Sequence, residues 1–268
     1  MTQWRIDTPQ SIDLEGVRRL NVRMVAGSID VVGSSEAAGT GAAHVEVSQL
    51  EGAITVTLEG DTLTIAHERL TWGGLLDWVG NHKARAVISV SVPDVCPIEL
   101  GVVSADAVVS GITGDTKVKS VSGDVTLDGL NADISAQTVS GDLETRHLEG
   151  KLHFTTVSGD LTVVAGSTSQ VKAETVSGDM TLDLDVPPGA RLDLSSVSGD
   201  VTLRLPESAS LQVDAKTLSG SLDSAFSGVT RDGKPGRSTL RGNVGSGDGF
   251  LQAKTVSGDV TLLRRANP

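Results

Sequence analysis

"KTVSGDVTL", residues 254–262, is the stretch on which the fold turns, because the chain repeats it. Close variants stand at 119–127 (KSVSGDVTL), 137–145 (QTVSGDLET), 155–163 (TTVSGDLTV), 174–182 (ETVSGDMTL) and 195–203 (SSVSGDVTL), and KTLSGSLDS at 216–224 is a weaker seventh copy. With the Ser of each copy set to zero, the copies start at Ser122, Ser140, Ser158, Ser177, Ser198, Ser219 and Ser257, in steps of 18, 18, 19, 21, 21 and 38. A period of about 20 residues is the mark of a solenoid, in which one coil cannot bury its apolar face alone and stacked neighbours bury a continuous one. The step of 38 is twice 19, so a degenerate or looped-out copy is expected near 225–247.

The columns of the repeat say which residues face inward. Position −4 is Val118, Ala136, Phe154, Ala173, Leu194, Ala215 and Ala253. Position +3 is Val125, Leu143, Leu161, Met180, Val201, Leu222 and Val260, and +5 is mostly Leu or Val around a Thr at +4. That in–out–in order is the period of a strand, and Thr and Val suit a pleated, half-buried surface. Position −1 is Val or Leu in every copy, and position −2 is always Ser or Thr, a hydroxyl column able to hydrogen-bond along a stack. Between the strands lies a Ser-Gly-Asp corner, with Gly expected to supply a positive φ and Asp and Ser to accept backbone N–H groups. The corner residues are Gly123 and Asp124, Gly141 and Asp142, Gly159 and Asp160, Gly178 and Asp179, Gly199 and Asp200, Gly258 and Asp259. The fold expected is all-β, a single-chain parallel β-helix with coils of 18–21 residues. A right-handed coil is expected from the hand of crossovers in ordinary sheets.

Composition supports a thin, regular core. Hydrophobic residues are 38% of 268, aromatics only 2%, and Tyr is absent. The net charge of −12 excludes a general affinity for nucleic acid or anionic lipid, since phosphate binding needs clustered Lys and Arg. One cysteine, Cys96, allows no intramolecular disulfide and fits a reducing compartment. The start MTQWRIDTPQSIDLEG lacks a basic segment followed by an apolar run, and no stretch has the apolar length to span a bilayer, so a cytoplasmic location is expected.

Residues 1–100 read as irregular β-rich opening coils or a cap, and 101–268 as the regular solenoid. VAGSIDV (25–31) looks like a worn corner, and AITVTLEGDTLTIAHE (53–68) reads as a hairpin turning at Glu-Gly-Asp. RLTWGGLLDWVGNHK at 69–83 breaks the style. Trp72, Leu75, Leu76 and Val79 fall at helical spacing, with Trp78 beside them. The segment is either a short helix or loop plugging the solenoid or an exposed contact for a partner or a membrane surface.

Catalytic chemistry finds little footing. If the Asp column stacks at about 4.8 Å, neighbouring carboxylates repel by about 1 kcal/mol even in water. The plain reading is that each accepts backbone N–H groups at its own corner; calcium along the column is the alternative, but one Asp per coil falls short of its six to eight oxygens. His44, His67, His82, His147 and His153 show no metal-ligand spacing, and no nucleophile motif or phosphate-binding loop is present. No cofactor, metal or small-molecule substrate is implied.

The repeated TVSGD(V/L/M)TL columns resemble the DUF4097 family, adhesin-like Toastrack β-helical domains found near bacterial envelope-stress systems, over most of residues 17–263. GSGDGFLQAKTVSGDVTL at 245–262 looks like the family's closing coil. The resemblance implies a right-handed β-helix serving as an assembly or interaction platform and transfers no catalytic residue. The function expected is a non-enzymatic scaffold that binds a protein partner or self-assembles, with Trp72–Val79 as the candidate contact. A carbohydrate-binding or carbohydrate-processing β-helix is the alternative.

Overall fold

The structure, a computed structural model, describes residues 1–67, 84–234 and 237–265. It is all-β, with no helix among the described residues. The chain divides into two compact units, residues 1–125 and 126–268.

The first unit holds β1 (Thr2–Ile6), β2 (Gln10–Leu14), β3 (Arg19–Ser34), β4 (Ala43–Glu51), β5 (Ile54–Glu59), β6 (Thr62–His67), β7 (Arg85–Pro93), β8 (Ile98–Ser110) and β9 (Thr116–Ser120). The 16-residue β3 is its hub, parallel to β6, β7 and β8, and β8 is parallel to β9. Antiparallel pairs supply the rest: β1 with β5, β5 with β6, β2 with β4, and β4 with β7. The β5–β6 hairpin turns where Glu-Gly-Asp predicts it, with Glu59 opposite Thr62 and Gly60 at φ 60°. VAGSIDV does not interrupt the chain as a corner. It lies within β3, where Gly27 at φ 115° meets β7 so closely that a Cβ would stand 1.7 Å from the Ala86 carbonyl oxygen.

The second unit is the regular parallel solenoid. The division falls at β10 (Val125–Asp128), and β11 (Ile134–Gln137), β12 (Leu143–Arg146), β13 (Glu149–Thr155), β14 (Leu161–Glu174), β15 (Met180–Asp185), β16 (Arg191–Ser195) and β17 (Val201–Pro206) follow. Then come β18 (Leu211–Thr217), β19 (Leu222–Ser224), β20 (Val229–Lys234), β21 (Arg237–Val244), β22 (Gly249–Thr255) and β23 (Val260–Arg265). The columns stack in register. Before the corner, Ala136 pairs with Phe154, Phe154 with Ala173, Ala173 with Leu194, Leu194 with Ala253, and Ala253 with Ala215. After it, Leu143, Leu161, Met180, Val201, Val260 and Leu222 form one ladder. All are buried, with Phe154 among the largest enclosed side chains.

The stacking order departs from the chain order. β22 lies between β16 and β18, and β23 between β17 and β19, so the Ser257 corner is inserted between those of Ser198 and Ser219. In place of a degenerate coil, β20 and β21 form an antiparallel hairpin, and β21 runs antiparallel along the outer side of β18. An antiparallel partner ends the parallel progression and covers an edge that would otherwise invite another strand.

Candidate docking ladder

Each corner is built from its own sequence upward. The hydroxyl at −2 is buried and accepts the backbone N–H of the corner Gly: Gly159 to Thr156 Oγ1 at 3.0 Å, Gly178 to Thr175 at 2.9 Å, Gly199 to Ser196 Oγ at 2.7 Å. The hydroxyl column therefore works first within its own coil. It also links coils at particular rungs: Thr138 donates to Thr156 at 2.8 Å, and Thr217 to the Gly258 carbonyl at 3.0 Å.

The corner glycines are not in the left-handed region; none of Gly123, Gly141, Gly159, Gly178, Gly199 or Gly258 has a positive φ. Space is the reason for Gly. A Cβ on Gly159 would stand 2.1 Å from the Gly141 carbonyl oxygen, one on Gly178 1.9 Å from that of Gly159, and one on Gly199 1.9 Å from that of Gly178. Gly258 meets the Gly199 carbonyl at 2.2 Å in the same sense, and in the first unit Gly123 meets Ala105 at 1.8 Å. Repetition of Gly lets one coil settle onto the backbone of the next.

The Asp column also joins coils, rather than closing its own corner. Asp160 N–H donates to Asp142 Oδ1, Asp179 to Asp160, Asp200 to Asp179 and Asp259 to Asp200, each at 2.8 Å, and Ser221 N–H donates to Asp259 Oδ1 at 2.7 Å. In the first unit Asp124 N–H reaches Asp106 Oδ1 at 3.1 Å. Hydrogen bonds to an ionised acceptor are the stronger kind, and they offset the repulsion along the column. Ser221 replaces Asp in the rung that ends the ladder, where no further corner amide needs an acceptor.

The outward face of the corner is unusual. The −1 column stands exposed: Val139 47%, Val157 51%, Val176 47%, Val197 47%, Val256 44% and Leu218 54%. Beside it the Ser hydroxyls are tied to the preceding coil; Ser158 donates to the Val139 carbonyl and Ser177 to that of Val157, both at 3.3 Å. Beyond them run the exposed carboxylates. The second unit thus presents an unbroken apolar row parallel to an acidic row. Alternation holds from −4 to −1 and again from the inward Gly through the outward Asp to +3, and the exposed Ser between them puts two outward residues in succession where the chain turns.

Trp72, Leu75, Leu76, Trp78 and Val79 lie outside the described residues. Elsewhere, burial pushes the Cys96 thiol up to about 11, with Arg19 opposing and Asp61 adding to the rise, so the thiol is a core group and a poor nucleophile. One cavity in the first unit, about 550 Å³, is lined by Asp13, Glu15, Glu36, His44 and Ser91 among others. There His44 Nδ1 meets Asp13 Oδ1 at 2.6 Å across the β2–β4 pair, a pairing that residue spacing does not reveal. Among the described residues no group of three His, Cys, Asp or Glu is placed to hold a metal ion, and no helix is long and apolar enough to cross a membrane.

A stacked all-β coil with a Ser-Gly-Asp corner defines a β-helical module. The sequence model of the Toastrack DUF4097 family matches residues 100–191 and 188–263, and the chain belongs to that family. The match begins well after residue 17, where the resemblance in sequence placed its start. No curated protein matches the chain. Among solved structures it is similar to a putative adhesin from Parabacteroides distasonis, with 14% identity, 96% of this chain and 97% of that one covered, and a TM-score of 0.49. A putative adhesin from Bacteroides fragilis gives 13%, 96%, 98% and 0.41, and a putative cell adhesion protein from Clostridium sporogenes 13%, 96%, 100% and 0.29.

Proposed function

We propose that the chain is a non-catalytic β-solenoid module that binds a protein partner through the corner ladder of its second unit, in a bacterial cytoplasm and in connection with envelope stress. The observation that supports this reading is the row of half-exposed Val139, Val157, Val176, Val197, Val256 and Leu218. Single apolar residues on a surface need no explanation, but a contiguous row does, and such rows mark contact sites. A solenoid with no need for Val there would carry a polar residue, as it does at +4, where five copies have Thr and the other two have Glu144 and Asp223.

The test is capture from native lysate by the intact protein and by Val157→Ser/Val176→Ser/Val197→Ser, with circular dichroism as the control for folding. A partner retained by the intact chain and lost from the folded variant is the expected result. Equal capture by both would overturn the ladder as the contact. A Trp72→Ser/Leu75→Ser/Trp78→Ser variant run alongside separates the ladder from the 69–83 segment.

A further inference from the structure

We infer that the element seated on this ladder is a basic amphipathic α-helix of a protein partner, lying along the stack with its apolar stripe on the Val column and its Lys or Arg stripe over the Asp column. The inference rests on the docking reading above and names the partner's chemistry.

Spacing selects the helix. Six apolar rungs at about 4.8 Å span about 24 Å. A helix of about 16 residues has that length and offers an apolar side chain every turn, about 5.4 Å. Over five steps the two rows drift apart by about 3 Å, which side-chain rotamers absorb. An extended segment repeats the same face every 6.6–6.8 Å or so and slips by about 2 Å at every rung. An apolar row read at helical pitch is helix-in-groove recognition on a ridge of β-corners.

Charge selects the sign. Asp142, Asp160, Asp179, Asp200 and Asp259 line one side of the apolar row; beyond it Glu144 is paired with Arg146 at 2.7 Å at one end, and Asp223 stands at the other. On the other side Glu174 is paired with Lys172 at 3.0 Å, Lys216 is held by Asp214 at 2.7 Å and Lys254 lies beside it in register, so the sign of the field is set by the Asp row. A field of this sign favours Lys and Arg stripes and opposes an acidic segment, an anionic lipid surface and the same face of a second copy.

The probe is a fluorescent synthetic helix of about 18 residues, Leu on one stripe and Lys on the adjacent one, titrated into the full chain by anisotropy. A scrambled peptide of equal composition and a strictly alternating Leu-Lys peptide serve as comparisons. The helix peptide is expected to bind at least about tenfold tighter than either, to weaken as salt rises, and to lose about tenfold or more on Val157→Ser/Val176→Ser/Val197→Ser. Asp160→Asn/Asp179→Asn/Asp200→Asn should weaken it and flatten its salt dependence. Equal binding of scrambled and helical peptides, preference for the alternating peptide, or indifference to both triple variants overturns the inference. Competition keeps the two readings apart: if a captured partner needs the ladder but the helix peptide does not displace it, the docking reading stands and the helix falls. A concentration-dependent dimer that is lost in the Val variant would assign the ladder to a second copy and likewise overturn the helix.

Discussion

A Cβ placed on Gly178 would stand 1.9 Å from the carbonyl oxygen of Gly159 in the coil below. Backbone meets backbone there, so neither side can rotate away. Gly178→Ala should therefore destabilise the second unit by about 3 kcal/mol or more, at the upper end for overpacking. Gly129→Ala is the comparison, because Gly129 has φ +64° and nothing within 4 Å of its Cβ position. Its cost is only that of a left-handed L residue, about 1–2 kcal/mol. Thermal melts that rank the two the other way would show that conformation rather than stacking space holds Gly in the corner.

The Asp column makes a second, separable demand. Asp179 Oδ1 accepts the N–H of Asp200 at 2.8 Å, and Asp179 itself donates to Asp160. Asp179→Ala leaves the Asp200 amide without its acceptor and should cost about 1–2 kcal/mol. Asp179→Asn keeps an acceptor oxygen and removes one charge from a crowded row, so it should be close to neutral. Urea melts of the two variants check this; an Asn variant as damaging as Ala would mean that the charge, not the acceptor, is what the coil uses.

These two columns also show what the sequence discloses. Strand alternation about the corner is enough to place Phe154 and Ala173 inside and the Thr column with them, because a two-residue period has one solution when one face is buried. The exposure of Val157 and Val176 runs against their hydrophobicity and emerges only in the structure. The reason for Gly is less accessible, since a turn that needs φ > 0 and a coil that needs bare backbone ask for the same residue. Stacking order is harder still. KTVSGDVTL at 254–262 and KTLSGSLDS at 216–224 fit either slot by their apolar residues alone. The one signal is Ser221, the copy without an Asp, which belongs where no amide follows. The His44–Asp13 contact depends on strands 31 residues apart in the chain and leaves no periodic trace.

His67 should make the first unit acid-sensitive. It is buried at the end of β6, where its Nδ1 accepts the Val25 N–H at 3.2 Å, so the ring proton sits on Nε2, which finds no acceptor among the described residues. Burial lowers its pKa below the ordinary 6.5. The folded state then binds fewer protons than the unfolded one in that range, so stability holds above pH 6.5 and falls as pH drops below it toward the lowered value. Protonation would also set a new Nδ1–H against the Val25 N–H. Denaturant midpoints measured from pH 7.5 down to about pH 5 should fall in the native chain and flatten in His67→Gln; parallel slopes would assign the acid response to other groups.

The inserted coil makes the end of the second unit conditional on the C-terminal segment. β22 is the parallel neighbour of both β16 and β18, and β23 of both β17 and β19, so the coil of β18 and β19 has no parallel contact with the coil of β16 and β17 except through them. In a solenoid, stability is close to a sum over neighbouring coils. Removing residues 249–268 strips Leu251, Ala253, Val260 and Leu262 from the stack and leaves β18, β19 and the β20–β21 hairpin with no coil beneath them. Hydrogen exchange on the truncated chain should show amides of 211–244 losing protection while those of β11 to β17 keep most of theirs. A synthetic peptide of residues 249–265 added in trans should restore protection to 211–244, since the slot it fills offers strand partners on both sides. Retained protection of 211–244 without the peptide would mean that the terminal hairpin and its coil dock directly onto β16 and β17, and that the closing coil is dispensable.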